Sequence, residues 1–401
     1  MKKALSVILA IIVFLDIVAV SVLLIDRSTG GIGLDDNVTP NQSFEENDPG
    51  QTTKPEELLS RVTCVAVGDN LIHDTIYKQA AARSSGGYDF EYAYQNIAHK
   101  IEPKDIAILN QETIISTEHN VSNYPQFNSP VEVGEEMLEI GFDVFNIATN
   151  HSVDCGEKGL ISTINFWKSK NAITTGAYLN EADFQTIPMN EVNGVKVAYV
   201  GFTEQTNGLS LPSDTDVILM QSTDEERLKQ RVMAADAIAD FVIVNAHWGE
   251  EYTHKPVDNQ KTLAAKLGEW GADVIIGTHP HVIQPVEFID NTDGSKTLVA
   301  YSLGNFISAQ NTGARMLGGM LNFDLVKNNT TGETTVENVV FEGTVTHFGY
   351  GFSNIRVYPL DEYTQDLASK HGVLSKTSSF SLDYLYGLVE EVVDVKFLLK
   401  R

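Results

Sequence analysis

A chain of 401 residues that is 42% hydrophobic can bury a large core, either as two domains or as one elaborated α/β domain, and is not a disordered chain. Its 54 acidic residues against 28 basic ones leave a net charge of −26, which argues against a nucleic-acid-binding surface and against adhesion to anionic lipid. Two cysteines, Cys64 in an apolar run and Cys155 in a loop, are too few to make a disulfide framework at this size, though one bridge between them stays open.

The first segment places Lys2 and Lys3 ahead of an apolar run from Ala4 to Ile25, interrupted by Asp16. At about 1.5 Å per residue this run is long enough to cross a hydrocarbon layer of about 30 Å. No small-x-small cleavage pattern precedes Asp26 and Arg27, so residues 1–27 read as an uncleaved anchor with the lysine end in the cytoplasm, in preference to a removed signal peptide. The expected location is therefore the cell membrane, single-pass, with the folded domain outside the cytoplasm. Residues 28–60 are rich in Gly, Asn, Asp, Thr, Glu and Pro and read as a flexible acidic tether.

From Arg61 the apolar runs VTCVAV, DIAIL, FDVFNIA, ADFVIV and ADVIIG predict strands. Helical patterns such as EVGEEMLEIG and KTLAAKLGEWG lie between them. Alternation of this kind predicts a buried, mostly parallel sheet of the α/β class. Three hairpin signals, VNGVKVAYVG, FIDNTDGSKTLVAYS and LVKNNTTGETTVENVVFEG, add antiparallel strands, so the expectation is layered sheets flanked by helices. The folded core is expected over 61–360. Residues 361–401 read as a C-terminal extension with a packed helix, a partner-binding helix being the alternative.

The residues behind each apolar run carry the chemistry. The runs end in GDN, NQET, TNHSVDCG, NAHWGEEY, THPH and SLGNF, and ligands of open α/β sheets bind outside the carboxyl ends of strands. Asp69, Glu112, Asn150, His247, His279 and His281 thus form a candidate metal set. Taken singly, each has an ordinary reading: Asp69 as a helix cap, Asn150 as a turn residue, His247 as a packed ring. As six polar residues at successive strand ends they point to a metal site. Mixed oxygen and nitrogen donors suit Mn, Zn or Fe better than Ca or Mg. Pro280 pushes His279 away from helical backbone, so His279-Pro280-His281 is expected to be extended, with both imidazoles on one side.

The ordered series GDNLIHD, NQET, NIATNHSVDCGEKGL, NAHWGEEY, GTHPHVIQPVE and YSLGNF resembles the capsule poly-γ-glutamate biosynthesis (CapA-like) family, a branch of the calcineurin-like metallophosphoesterases. The resemblance spans about Arg61 to Ser308. It implies a four-layer α/β/β/α sandwich holding two divalent transition metal ions. On its pattern Asn150, His247 and His279 would hold one ion, Asp69 and His281 the other, with Glu112 between them. The wider superfamily has Asp-x-His on the first strand; here Leu71 follows Asp69 at that spacing, which leaves His73 as a possible additional ligand.

His151 is expected to be catalytic without being a ligand, because adjacent side chains in a turn point apart and Asn150 takes the metal. Asp154 and Asn305 are expected to support the site. The implied function is an extracytoplasmic metal-dependent hydrolase acting on an anionic polymer or phosphoester, in poly-γ-glutamate synthesis, processing or export. The rival reading is a non-hydrolytic, polymer-binding partner of a membrane synthase complex.

Overall fold

Sixteen strands organise the residues that the computed structural model describes, 58–399. The first sheet runs in the order β16 (Arg356–Pro359), β15 (Thr334–His347), β14 (Leu317–Asn328), β1 (Leu59–Asn70), β2 (Ile106–Asn110), β3 (Val144–Asn146) and β4 (Ile173–Thr175), with β13 (Asn305–Ile307) beside the end of β1. The second runs β11 (Val286–Asp290), β12 (Lys296–Ala300), β10 (Val274–Thr278), β9 (Phe241–His247), β7 (Val195–Thr203) and β6 (Met189–Val192). A short pair, β5 (Ala177–Tyr178) and β8 (Ile218–Leu219), lies outside both. In the first sheet β1 to β4 are parallel and β14 to β16 antiparallel; in the second β12, β10, β9 and β7 are parallel, with β11 and β6 antiparallel at its two edges.

The parallel register is set by one repeated device. Asp105, Asp143, Asp240 and Asp273 stand directly ahead of β2, β3, β9 and β10. Their carboxylates accept the backbone N–H of Thr63, Ala107, Lys196 and Val242 on the neighbouring strand, at 2.7–2.9 Å. Their own N–H groups donate to the carbonyls of those same residues. Each aspartate grips one residue twice, so strand ends are aligned from the amino side and their carboxyl ends arrive level.

Alternation along the strands fills two cores. On β7, Val195, Val197 and Tyr199 belong to the core between the sheets, whereas Ala198, Val200 and Phe202 pack outward on Leu228 and Val232 of the helix Glu225–Asp236 and on Leu263 and Leu267 of the helix Asp258–Glu269. The first sheet is covered on its far side by helices including Val131–Glu139 and Gly156–Ser169. They approach closely because Gly134 leaves room for the Phe166 ring; a methyl there would sit 2.5 Å from it. Helix, sheet, sheet and helix make the α/β/β/α sandwich.

All three hairpin signals form hairpins: β6–β7 turns through Asn193 and Gly194, both at positive φ, β11–β12 through Asn291–Ser295, and β14–β15 through Asn329–Glu333. The strand β1 begins at Leu59, slightly ahead of the expected core boundary, pairing Leu59 with Asn328. The described part of the C-terminal extension, 361–399, joins the main core: Leu385 and Val389 of the helix Leu382–Val392 are buried, and Phe397 packs against Phe288. Cys64 and Cys155 are both free thiols. The expected anchor and nearly all of the tether lie outside the described residues, among which no helix is long and apolar enough to cross a membrane.

Candidate metal centre

Carboxyl ends of both sheets converge on one point. Asp69 arrives on β1 and Glu112 just after β2, while His247 ends β9 and His279 follows β10. Close approach of two glycines makes the first placement: a methyl on Gly68 would lie 1.8 Å from the Gly304 carbonyl oxygen, and the Asp69 N–H donates to that oxygen at 2.8 Å. This crossing pairs Asp69 with Asn305 of β13.

Asp69, Glu112, Asn150, His247, His279, His281 and Asn305 are all buried within a few per cent. The Asp69 carboxylate accepts from Asn110 Nδ2 at 2.8 Å and from the His279 N–H at 3.3 Å, and lies 3.1 Å from His281 Nδ1. Asn305 Oδ1 is 3.0 Å from the same nitrogen, so both residues orient the His281 ring. Asn150 Oδ1 lies 3.0 Å from His247 Nε2. Thr278 Oγ1 lies 3.1 Å from His247 Nδ1.

Among the described residues, His and carboxylate donor atoms within 4.8 Å of one another form three groups: Glu112 with His247 and His279, Asp69 with Glu112 and His281, and Glu251 with His279 and His281. Glu112 is common to the first two. Its two oxygens are buried without any hydrogen-bond donor, as is His279 Nδ1. Of the described residues only His281 Nε2 at 3.7 Å and His151 Nε2 at 3.9 Å approach the Glu112 carboxylate, both beyond hydrogen-bond range; a buried carboxylate so poorly satisfied is disfavoured, and a cation at its oxygens offsets the penalty. The donor set fits a transition metal on that ground.

Electrostatics agree with it. Burial drives the Glu112 pKa well up, His281 opposing and Asp69 adding to the rise. Burial and the neighbouring histidines press His247 well down, and likewise His279 to about 3, leaving imidazoles neutral and able to ligate. For His281 burial works downward, but Glu112 and Asp69 outweigh it and raise the pKa to about 9.

His151 belongs to none of the three groups. Its Nδ1 is 2.7 Å from Asp154 Oδ2, which also accepts the Phe127 N–H at 2.7 Å, and its Nε2 is 3.9 Å from Glu112 Oε1. Asn150 and His151 therefore face different partners, as adjacent turn residues must. His73 is also outside the groups: its Nδ1 accepts the Ala309 N–H at 3.2 Å and its ring packs edge-on against Phe127.

One expectation is corrected. His279 and His281 have φ of +96° and +58°, so His-Pro-His is not extended but sharply bent. Proline restricts its predecessor away from the helical region without requiring a strand, and Asp69 holds the bend by accepting the His279 N–H. The rings still converge, with centroids 5.9 Å apart.

Three residues around the centre were not anticipated from sequence. Asn110 Nδ2 reaches both Asp69 and His247, and its Oδ1 accepts from Asn146. Gln205 Nε2 lies 3.4 Å from His279 Nε2. Glu251 stands 3.9 Å from His281 Nε2. Glu251 was visible in the GEEY run behind His247, and Asn110 as the last residue of its strand; Gln205, on a long loop, had no signal.

Two facing sheets with helices outside them and a His/Asp/Glu cluster at their strand ends define an α/β/β/α sandwich with a candidate metal centre. Residues 63–310 match the family described as bacterial capsule synthesis protein PGA_cap, and the chain belongs to that family. It is 30% identical over 333 residues to "Capsule biosynthesis protein CapA" of Bacillus anthracis, covering 79% of this chain and 76% of that one. It is 34% identical over 196 residues to "PGA biosynthesis protein CapA" of Bacillus subtilis, covering 48% of this chain and 50% of that one. Among solved structures it is similar to a putative 5'-nucleotidase from Staphylococcus aureus, at 17% identity and a TM-score of 0.44 over 70% of this chain and 54% of that one. The chain thus spans about half the length of the second relative and of the nucleotidase.

Proposed function

We propose that this chain is a membrane-anchored, extracytoplasmic metal-dependent hydrolase that acts in the synthesis, processing or export of poly-γ-glutamate capsule. Family membership supports the capsule role. The observation that carries the chemistry is Glu112, a buried carboxylate without a donor that is shared by two ligand groups. We take Asn150, His247 and His279 to hold one divalent ion of Mn, Zn or Fe, Asp69 and His281 to hold a second, and Glu112 to lie between them. Such a pair supplies charge that lowers the pKa of water and polarises the group attacked.

The chain's own residues then have distinct tasks. Asp69 and Asn305 fix the His281 ring, and Asn110 ties Asp69 to His247. Asp154 accepts a hydrogen bond from His151 Nδ1–H, which leaves Nε2 to carry or deliver a proton beside Glu112. Burial of these side chains keeps bulk water from them and strengthens each of these interactions.

The experiment is an assay of the purified full chain against poly-γ-glutamate and against a generic phosphodiester, with and without added Mn. Metal-dependent cleavage of the polymer supports the reading. Cleavage of the phosphodiester alone moves the substrate to another class. Polymer binding without turnover of either makes the chain a non-hydrolytic partner of a synthase complex.

A further inference from the structure

Tyr252 lies at the rim of the metal centre and is 44% exposed. Its ring stacks on that of His281 with centroids 6.0 Å apart, and its N–H donates to the Pro280 carbonyl at 2.8 Å, in the middle of His-Pro-His. It holds a φ of +68°, a left-handed conformation that a bulky side chain adopts only where its surroundings impose it. A side chain is being presented at this spot at some cost in backbone energy.

What it presents a surface to is Arg315. The Arg315 guanidinium carbon lies 3.4 Å from the Tyr252 ring centroid. The side-chain amide of Asn305 donates to the carbonyl of Arg315 at 3.1 Å and to that of His281 at 3.3 Å, so one residue fixes the backbones of the candidate ligand and of the arginine. Nε of Arg315 is buried without an acceptor, and none of the ion pairs among the described residues includes Arg315, in a chain with 54 acidic residues to choose from. Stacking fixes the plane of a guanidinium while leaving its N–H edges open, the arrangement that suits a two-pronged grip on an oxyanion.

We infer that Arg315, laid on Tyr252, is an oxyanion subsite beside the metal centre that takes a carboxylate or phosphate of the substrate next to the group attacked. This rests on the proposed reading of the centre as the reaction site. The local charge matters because the chain as a whole, at −26, repels a polyanion. Glu251 also stands at the rim, with its side chain 40% exposed, so an incoming anion is guided to the guanidinium side of the Tyr252 ring rather than spread over the entrance. A lysine at this position would supply charge without the planar fork.

The test uses the full chain, wild type and the Arg315→Gln and Arg315→Lys variants, after dialysis against Mn. Elemental analysis, thermal midpoint, calorimetric titration with a γ-glutamate oligomer, the same titration with inorganic phosphate, and steady-state kinetics on the oligomer are read together. The expected result is unchanged metal content and midpoint in both variants, affinity for at least one anion lowered about 10- to 100-fold in Arg315→Gln, and a partial return in Arg315→Lys. Where turnover is measurable, KM rises more than kcat falls. Loss confined to the oligomer identifies a carboxylate, and loss confined to phosphate a phosphoryl group; both support the subsite. Equal affinities in wild type and Arg315→Gln overturn it, as does metal loss in Arg315→Gln. Absence of turnover in the wild type with an Arg315-dependent affinity counts against the hydrolase reading alone and leaves the subsite standing.

Discussion

Asp154 Oδ2 and His151 Nδ1 are 2.7 Å apart, and the opposite nitrogen of the same ring faces Glu112 at 3.9 Å. A carboxylate on Nδ1 assigns the proton to that nitrogen and leaves Nε2 directed at the metal centre. His151→Asn is therefore expected to keep metal content and thermal midpoint and to lower turnover about 10²- to 10⁴-fold, the usual effect of removing a general acid. Asp154→Asn should lower turnover less, since the ring remains. Metal loss in His151→Asn as large as in a ligand variant would make His151 a ligand, and wild-type turnover would make it a spectator.

His279→Ala and His281→Ala should each reduce bound transition metal, measured by elemental analysis after dialysis. Unaltered stoichiometry in both would reduce His-Pro-His to a structural bend.

Glu112→Gln should have effects of opposite sign with and without metal. In chelator it removes a carboxylate that has no donor, so the midpoint rises, with about 1–3 kcal/mol at stake for a buried unsatisfied group. In excess Mn the wild type gains stability by binding and the variant gains less. A lower midpoint for Glu112→Gln in chelator would show that the carboxylate is already satisfied without a cation.

Much of this arrangement was legible in the sequence because its determinants are local. The aspartates of DIAIL, FDVF, ADFV and ADVI precede the strands whose register they fix, and Asn193-Gly194 specifies its own turn. The polar strand-end residues could be collected on one site because parallel strands share a carboxyl end. What could not be read was the bend of His279 and His281, since it is held by Asp69, distant in sequence. The Arg315–Tyr252 stack was hidden for the same reason: each residue alone reads as an ordinary loop residue, and only the fold, which sets the turn Gly313–Met316 ahead of β14 beside the centre, brings them together.

The Gly68–Gly304 approach is a third such long-range constraint. A methyl on Gly68 would meet a backbone carbonyl that is itself held by the Asp69 N–H. Gly68→Ala should therefore destabilise by about 1–3 kcal/mol or more and reduce metal content, while Gly86→Ala, which meets nothing, should not. Equal midpoints by thermal denaturation for the two variants would sink this account.

The C-terminal segment should carry an acid sensitivity of its own. His347 is buried with Nδ1 2.7 Å from the Tyr363 hydroxyl and its ring edge-on to His371. His371 accepts the Val373 N–H at Nδ1 and faces the Thr346 carbonyl with Nε2, a neutral tautomer with both nitrogens satisfied. Burial, with the neighbouring His371 and Arg356, lowers His347 to about 4; burial lowers His371 to about 4 against the Thr346 carbonyl. The ordinary value in the unfolded chain is about 6.5. Between these values the unfolded state binds more protons, so stability is fully present above about pH 6.5 and is lost as pH falls toward 4, on the order of 1 kcal/mol for each ring. Because metal ligands also titrate, the measurement is made in chelator and as a difference: the fall in thermal midpoint between pH 7 and pH 4.5 should be smaller for His347→Gln than for the wild type. Equal falls would mean that this pair of histidines is not what ties the segment's docking to pH.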